Sequence, residues 1–378
     1  MVPLGGRDEA SSELAVAPAM TRLERVREAL AGQRADWLLV PASADFVWVT
    51  GTAARVTERL LLLAIPRAGA PFVIVPRLEA DALAHECPAL ELEVWDEADD
   101  PFERLAHRIG LARGPAVLVG EGLRTAPLLR LAARARCRPA GGVLSELRAV
   151  KDAAELDLLA RAAAHADAIV EQTADFMRAG MTEREVAAFA MKQFEAAGDR
   201  EAWVIVASGP NGAEPHHFTG ERRLESDDVV IVDLGAFTRG YASDITRTYW
   251  LGAVPEEAGH VYDAVNRARA AGISAVRDGV PAARVDREAR DVIEQAGYGR
   301  YFVHRTGHGV GLEVHEPPYL VAGNHSPLRA GMVHSVEPGI YLPGRFGVRL
   351  EDLVVVERER ARPLNRAPLD PRPPRLRA

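Results

Sequence analysis

Short apolar runs punctuated by turn residues fill the first 150 positions of the chain. Between them lie Ala-, Leu- and Arg-rich segments at helical spacing, near 77–85, 101–110 and 124–135. Strand-length runs that alternate with helical segments predict an α/β domain ending around residue 145. The predicted strand runs are 37–40, 46–49, 60–65, 72–75, 92–95 and 116–119.

The second half of the chain has longer helical segments. Residues 151–178 form one amphipathic stretch, and Thr182 with Glu185 has the capping-box pattern of a second helix that runs to Gly198. Two more helices are predicted near 256–277 and 284–296, and apolar runs of strand length, such as 204–206 and 229–232, surround them. Helices grouped with strands in this way predict an α+β domain with a curved, mostly antiparallel sheet.

These patterns divide the chain into four parts. We expect a flexible leader over 1–19, an N-terminal α/β domain over 20–147 and a second domain over 148–360. Residues 361–378 are rich in Pro and Arg and are predicted to be a solvated tail.

Composition narrows the class of protein. Hydrophobic residues make up 48% of the 378 positions and charged residues 26%, which is typical of a globular chain. The net charge of -8 favours no nucleic-acid partner, and the longest apolar run is too short to span a membrane. Cys87 and Cys137 have no metal-like spacing, which is compatible with a reducing cytoplasm.

Acidic residues and a histidine stand where structural strands would not favour them. Asp233 directly follows the apolar run 229–232, and Asp244 lies where a predicted hairpin returns the chain towards it. His308 is flanked by Gly307 and Gly309, which would let the backbone approach another group closely. Because an unpaired buried carboxylate costs several kcal/mol or more, such acids must be paired or bound to metal.

Four sequence segments carry a resemblance to a known family. Asp-x10-Asp from 233, Thr-Gly-His-Gly-x-Gly from 306, Val-Glu-Pro-Gly from 336 and Arg-Leu-Glu-Asp from 349 occur in this order. The chain thereby resembles the pita-bread dinuclear metallopeptidases, in the branch of Xaa-Pro dipeptidase (prolidase) and aminopeptidase P. The resemblance implies a C-terminal pita-bread (creatinase/aminopeptidase-like) catalytic domain, here over about 150–358, and a smaller N-terminal α/β creatinase-like domain.

The resemblance also implies a metal centre. Its ligands would hold two divalent ions, for which four carboxylates and one imidazole favour Mn²⁺, with Co²⁺ or Zn²⁺ as alternatives. A water bridging the two ions would act as the hydroxide nucleophile. The ligands implied by the motifs are Asp233, Asp244, His308, Glu337 and Glu351.

Further site residues follow from the same resemblance. Glu337 would also take the proton of the bridging water, and His315 and His216 would stabilise the scissile carbonyl. Archaeal-type prolidases have an arginine for the dipeptide carboxylate where this chain has Tyr319, so two alternatives are expected: another arginine substitutes, or the site is open. The candidate substrate-binding residues are His217, Arg349, Tyr319 and Arg55, the last supplied by a dimer partner.

The implied reaction is hydrolysis of an N-terminal Xaa-Pro bond. A proline-containing dipeptide is the expected substrate, and the alternative is an aminopeptidase P acting on tripeptides and longer peptides. A methionine aminopeptidase and a pita-bread binding protein without peptidase activity are the other candidates. We expect a cytoplasmic homodimer with no nucleic-acid or membrane partner.

Overall fold

The computed structural model describes residues 19–53, 57–253 and 255–376. The predicted leader, apart from Ala19, and the candidate Arg55 lie outside these residues. By its contacts the chain separates into two compact units, Met1–Arg148 and Ala149–Ala378. Each unit is described by itself below.

The first unit is built on a six-stranded mixed sheet. Its strands lie in the order β4-β3-β2-β1-β5-β6, with antiparallel pairs β1–β2 and β2–β3 and parallel pairs β3–β4, β1–β5 and β5–β6. Strands and helices alternate along the chain, as predicted for an α/β domain. The elements are α1 Ala19–Gly32, β1 Trp37–Pro41, α2 Ala44–Thr50, β2 Leu62–Pro66, β3 Phe72–Pro76, α3 Arg77–Glu86, β4 Glu91–Trp95, α4 Pro101–Arg108, β5 Ala116–Val119, α5 Thr125–Ala132, β6 Arg136–Pro139 and α6 Val143–Ala149.

One predicted strand in this unit is wrong. Residues 46–49 lie inside helix α2, where Phe46 and Trp48 are buried. Ser43 caps the start of the helix by accepting from the Phe46 N–H, and Gly51 ends it in the left-handed region at φ 79°. A short, fully apolar run has no periodicity that separates a buried helix from a strand, so these caps decided the structure.

The second unit contains helices and antiparallel sheets only, among the residues described. A four-stranded sheet has the order β10-β8-β7 with β9 on β8, a five-stranded sheet has the order β12-β11-β13-β16-β17, and β14 pairs with β15. The α+β class is therefore confirmed, although three sheets replace the single predicted one. The elements are α7 Ala153–Phe176, α8 Glu183–Ala196, β7 Arg200–Ser208, β8 Val229–Thr238, β9 Tyr241–Ala242, β10 Ile245–Trp250, α9 Glu256–Ala275, α10 Ala282–Gln295, β11 Gly307–Gly309, β12 Glu316–Leu320, β13 Val333–Val336, β14 Gly339–Leu342, β15 Phe346–Arg349, β16 Asp352–Val356 and β17 Ala361–Pro363.

The long helices begin at capping boxes and cover the sheets. Asp152 and Glu155 cap α7 reciprocally, and the predicted pair Thr182 and Glu185 does the same for α8. Both helices bury apolar residues against β8, while α9 and α10 form a second core with β14 and β15. No helix within the described ranges combines the length and apolar character needed to cross a bilayer.

The C-terminal segment is not the predicted solvated tail. Ala361–Pro363 forms β17 against β16, and Leu364 and Ala367 are buried. The side chain of Asn365 accepts a hydrogen bond from the Leu353 N–H at 2.7 Å. Proline lacks an N–H, but the backbone carbonyls of a Pro-rich segment still accept hydrogen bonds, as Pro371 does from Trp250. The Pro- and Arg-rich composition therefore gave no indication that this segment packs onto the second unit.

Candidate metal centre

Two antiparallel strands bring the paired aspartates together. Asp233 lies within β8, and Asp244 directly precedes β10, whose Thr246 is the register partner of Asp233. The predicted hairpin therefore forms, but β8 continues to Thr238 and Asp233 is not its last residue. The proximity has an electrostatic effect, because the Asp233 charge is among the causes that raise the pKa of Asp244.

Glycines on both sides of His308 allow strand β11 to enter a crowded position. A Cβ at Gly307 would overlap the carbonyl oxygen of Ser335, and one at Gly309 would overlap that of Pro317. The Ser335 hydroxyl accepts from the His308 N–H at 3.0 Å. The close backbone approach predicted from the glycines is thus present, and the hydrogen bond to Ser335 holds the His308 backbone against β13.

Three buried side chains offer ligand atoms that lie within 4.8 Å of one another: Asp244, His308 and Glu351. Glu337 joins them, with its Oε1 3.3 Å from His308 Nε2. Glu351 Oε2 accepts from Thr246 at 2.7 Å, whereas its buried Oε1 has no hydrogen-bond partner among the described residues. Such an atom is expected where a carboxylate faces a cation.

Burial and mutual repulsion define the electrostatics of this cluster. Burial, followed by the charges of neighbouring acids, raises the pKa of Asp244 and of Glu351 well above the usual range. Burial likewise raises the pKa of Glu337 to about 7 and lowers that of His308 to about 3. A group of carboxylates around a neutral imidazole is unfavourable alone and suits a divalent cation.

The tautomer of His308 agrees with this interpretation. Its Nδ1 lies 3.2 Å from the carbonyl oxygen of Gly309, which can only accept, so Nδ1 carries the proton. The lone pair of Nε2 then points at the oxygens of Glu337 and Asp244, 3.3 and 3.7 Å away. Because two acceptors cannot bond each other, this arrangement fits a cation between them.

Asp233 is held by Arg349. The Arg349 guanidinium donates to Asp233 Oδ2 at 2.5 Å, to the Tyr341 hydroxyl at 2.9 Å and to the Pro215 carbonyl at 3.2 Å. Its side chain is only 5% exposed. These hydrogen bonds show that Arg349 holds Asp233 and its neighbours in place, and a contact of Arg349 with substrate stays a prediction.

The three predicted histidines of the substrate region occupy different environments. The His315 ring packs edge-on against His308, with centroids 4.1 Å apart. Partial burial, followed by the charge of Arg305, lowers the pKa of His315. His216 is exposed and also contributes to the lowered pKa of His315. His217 instead places Nε2 2.9 Å from the buried carboxylate of Glu183, so it anchors the loop, and its role in substrate binding stays a prediction.

Tyr319 lies directly opposite His308 in the β11–β12 pair. Opposed residues of an antiparallel pair share one face of the sheet, so the tyrosine belongs to the face that carries the metal-ligand candidate. The Arg305 guanidinium stacks on its ring, 4.5 Å from the ring centroid. Arg305 was not predicted as a site residue, although it directly precedes the motif that contains His308.

Three further residues that support the site, Thr246, Tyr341 and Glu183, were not predicted from the sequence. Thr246 and Tyr341 bond to the acids or to their arginine, but hydroxyl residues within strands carry no sequence signal. Glu183 anchors the loop before β8 and, within a capping-box sequence, it resembles an ordinary first-turn acid.

Two protein families match this chain, one over each half. Residues 157–358 match the model of metallopeptidase family M24, and residues 22–150 match that of the creatinase/prolidase N-terminal domain. The two matches cover the two compact units separately. M24 metallopeptidases use divalent metals, which agrees with the donor set formed by Asp244, His308 and Glu351.

Individual proteins resemble the chain over nearly its whole length. A probable dipeptidase PepE of Mycobacterium tuberculosis is 43% identical over 338 residues, which cover 88% of this chain and 90% of that protein. The crystal structure of dipeptidase PepE from Mycobacterium ulcerans is 40% identical, with a TM-score of 0.88 over 96% of this chain and 98% of that one. A prolidase from Thermococcus sibiricus is 34% identical, with a TM-score of 0.88 over 94% and 99%.

Proposed function

This chain belongs to metallopeptidase family M24, and we propose that it hydrolyses the Xaa-Pro bond of dipeptides, acting as an Xaa-Pro dipeptidase. The observation that carries the proposal is the buried group of Asp244, His308 and Glu351, with Glu337 beside it and His315 at its rim. The names of the similar proteins, dipeptidase and prolidase, support the choice of dipeptides.

The proposed cofactor is a pair of divalent ions, most favourably Mn²⁺. Four carboxylates carry the charge that two such ions would neutralise, and oxygen-rich donor sets with one imidazole suit manganese, with cobalt or zinc as alternatives. When bound, the ions supply positive charge that acidifies a water and polarises the scissile carbonyl. The proposed ligands are Asp233, Asp244, His308, Glu337 and Glu351. On this proposal Asp233 shares its carboxylate between metal and Arg349.

Glu337 is the proposed proton acceptor. Its Oε1 lies 3.3 Å from His308 Nε2, and from this position it can take the proton of the attacking water and pass it on to the departing proline nitrogen. Glu337 lies next to Asp244, His308 and Glu351, the three residues whose ligand atoms lie within 4.8 Å of one another. That position suits a residue that must also face the reacting water.

His315 and His216 are the proposed hydrogen-bond donors to the substrate carbonyl. Both can be reached by a peptide because they are exposed, and the His315 ring contacts that of His308. As the carbonyl oxygen gains negative charge, an N–H aimed at it strengthens its hydrogen bond and stabilises the transition state.

Proline suits such a site for a physical reason. An Xaa-Pro bond has no amide N–H, so a peptidase that aligns its substrate by strand pairing loses a donor there. A site that holds the carbonyl through cations and histidines needs no such donor. The same reasoning allows cleavage of tripeptides, which is the alternative of an aminopeptidase P.

A substrate comparison tests the proposal. The purified protein, loaded with Mn²⁺, is assayed with Leu-Pro, Leu-Pro-Gly and Leu-Ala by release of leucine. We expect rapid cleavage of Leu-Pro, slower cleavage of Leu-Pro-Gly and little of Leu-Ala. Preference for the tripeptide would favour the aminopeptidase P alternative, and equal cleavage of Leu-Ala would refute proline specificity.

The Asp244→Ala variant tests whether the proposed metal centre is the site of the reaction. We expect this variant to bind less metal and to lose activity, because removing one carboxylate leaves excess positive charge on the loaded cluster. Metal content is measured by elemental analysis of the purified protein, and circular dichroism checks the fold. Full metal content with near-normal turnover would show that the reaction occurs elsewhere.

The proposal also includes a cytoplasmic location and assembly as a homodimer. Cys87 and Cys137 are free thiols in the structure, which supports a reducing cytoplasm. A homodimer is expected from the resemblance, and sedimentation of the purified protein measures it directly.

A further inference from the structure

Arg305 presents a guanidinium whose donors are not used by the protein. Its side chain is half-buried, and the guanidinium carbon lies over the Tyr319 ring, 4.5 Å from the ring centroid. Among the described residues, no carboxylate or other acceptor pairs with this group, in contrast to the buried Arg349. A guanidinium stacked on an aromatic ring keeps its N–H edge free, because stacking uses the face and hydrogen bonding uses the edge.

This free edge lies beside the candidate catalytic residues. Tyr319 is the register partner of His308 on the neighbouring strand, and both side chains share one face of the sheet. The His315 ring in turn contacts that of His308, with 4.1 Å between the ring centroids. Arg305, over the Tyr319 ring, thus lies beside the pair of strands that carries the metal-ligand candidate.

Other cationic groups around the site are unsuitable for an anionic substrate group. Arg349 is only 5% exposed and bonds to Asp233 and Tyr341. His304 is held neutral, since burial lowers its pKa to about 4, and its ring bonds to the Tyr341 hydroxyl. A free guanidinium at the rim therefore remains the suitable partner for an incoming negative charge.

We propose that Arg305, held over the Tyr319 ring, binds the C-terminal carboxylate of a dipeptide substrate and so selects dipeptides over longer chains. The inference rests on the proposed Xaa-Pro dipeptidase function. In a dipeptide the carboxylate is attached to the same residue whose nitrogen leaves, whereas in a tripeptide it lies one residue, at most about 3.6 Å, further out. A guanidinium matches a carboxylate with two parallel N–H donors, which gives directional as well as electrostatic recognition.

The proposal explains the substitution at position 319. By the sequence resemblance, Tyr319 stands where archaeal-type prolidases have an arginine. Its ring lies beneath Arg305, which belongs to the segment just before β11. The positive charge is thereby retained although the residue that carries it has moved to position 305. The predicted role of Tyr319 in substrate binding is, on this view, exerted through Arg305.

A pair of substrates that differ only in the carboxylate tests this assignment. Wild type, Arg305→Ala and Arg305→Lys are assayed with Leu-Pro and with its C-terminal amide, Leu-Pro-NH₂, at full metal loading. We expect Arg305→Ala to raise KM for Leu-Pro by roughly ten- to a hundredfold, and KM for the amide by no more than about threefold. Arg305→Lys should fall between them, because an ammonium keeps the charge but not the planar pair of donors.

Two further variants complete the test. Tyr319→Leu removes the ring beneath the guanidinium, and we expect a smaller rise in KM that is again confined to Leu-Pro. Arg55→Ala serves as the comparison arginine, because position 55 is the other candidate for the carboxylate. Circular dichroism and metal content confirm that each variant is folded and loaded.

The outcomes separate the inference from the function on which it rests. If wild type cleaves both substrates but Arg305→Ala affects them equally or not at all, the function stands and the inference is wrong. An effect confined to Leu-Pro in Arg55→Ala and absent in Arg305→Ala would also overturn it. If wild type cleaves neither substrate, the proposed function itself fails, and the inference fails with it.

Discussion

At the scale of single residues, the surroundings of His308 fix its tautomer and keep its ring neutral, as a metal ligand requires. The Gly309 carbonyl fixes the proton on Nδ1, and burial keeps the ring neutral by lowering its pKa to about 3. Nε2 therefore presents a lone pair to the carboxylates at every physiological pH. A neutral imidazole among acids is stable only if positive charge enters between them, so the geometry favours the metal-bound state over the metal-free one.

His315 is the residue whose loss should separate catalysis from metal binding. We expect His315→Ala to lower kcat by about a hundredfold or more, because a donor to a developing oxyanion contributes about 2.7–4 kcal/mol. Bound metal should be retained, since His315 is no member of the converging ligand group. Steady-state kinetics and elemental analysis measure the two properties on the same preparation.

An exposed histidine provides the control for that variant. His325→Ala removes an imidazole outside the cluster, and kcat should stay within about twofold of wild type. If His315→Ala kept a normal kcat, the donor role would pass to His216.

At the scale of elements, the loop between β7 and β8 is fastened to the first turn of α8. The buried Glu183 carboxylate accepts from Ser208 N and Oγ at 2.8 and 2.7 Å, from Asn211 at 3.0 Å and from Gly220 N at 3.1 Å. His217 bonds to the same carboxylate. One buried acid thereby holds both ends of the loop that carries His216.

Glu183→Gln should loosen this loop without emptying the metal site. An amide has one accepting oxygen instead of two, so donors now opposed by the NH₂ group lose their partner. We expect the free energy of unfolding to fall by about 2–4 kcal/mol, and kcat to fall because His216 is no longer fixed. Denaturant titration, steady-state kinetics and metal content measure the three effects.

Asp199→Asn is the matched control for loop fastening. Asp199 is also a buried acid with side-chain partners, Thr238 at 2.7 Å and His165 at 3.0 Å, but it does not touch the loop. We expect a comparable loss of stability with kcat nearly retained. Equal losses of kcat in both variants would indicate a general effect of destabilisation rather than positioning by Glu183.

At the scale of the whole molecule, buried neutral histidines make stability depend on pH. His334 is fully buried in β13, and burial lowers its pKa to about 4, with the Lys151 charge acting in the same direction. Because this folded-state pKa lies below the value of 6.5 for an unfolded histidine, its contribution is present above pH 6.5 and is lost as the pH falls towards 4.

His334→Gln should flatten the acid limb of the stability profile. For one such group the slope is about 1.4 kcal/mol per pH unit, or on the order of 3 kcal/mol between pH 6.5 and 4. Urea titrations at several pH values measure this slope for wild type and variant. His325→Gln, at an exposed histidine, should keep the wild-type slope, and an unchanged slope in His334→Gln would contradict the assignment.

Local features of the sequence determined a large part of this molecule. The capping box at Thr182 and Glu185, the hairpin between Asp233 and Asp244 and the glycines around His308 each act over a few residues. Residues that are close together in the sequence are therefore enough to predict these features. The order of the acidic motifs identified the family, and the two compact units follow from the alternation of helices and strands in the first half and their grouping in the second.

Only the tertiary structure decided which partner each polar group takes. Arg349 reaches Asp233 across 116 positions of the chain, and Arg305 meets Tyr319 only because β11 pairs with β12. The C-terminal segment joins the sheet through backbone N–H and carbonyl groups, which are not specific to any side chain, so its composition gave no signal. Contacts between distant residues depend on register and packing, because a side chain's chemistry specifies what it can bind, whereas the fold specifies what lies within its reach.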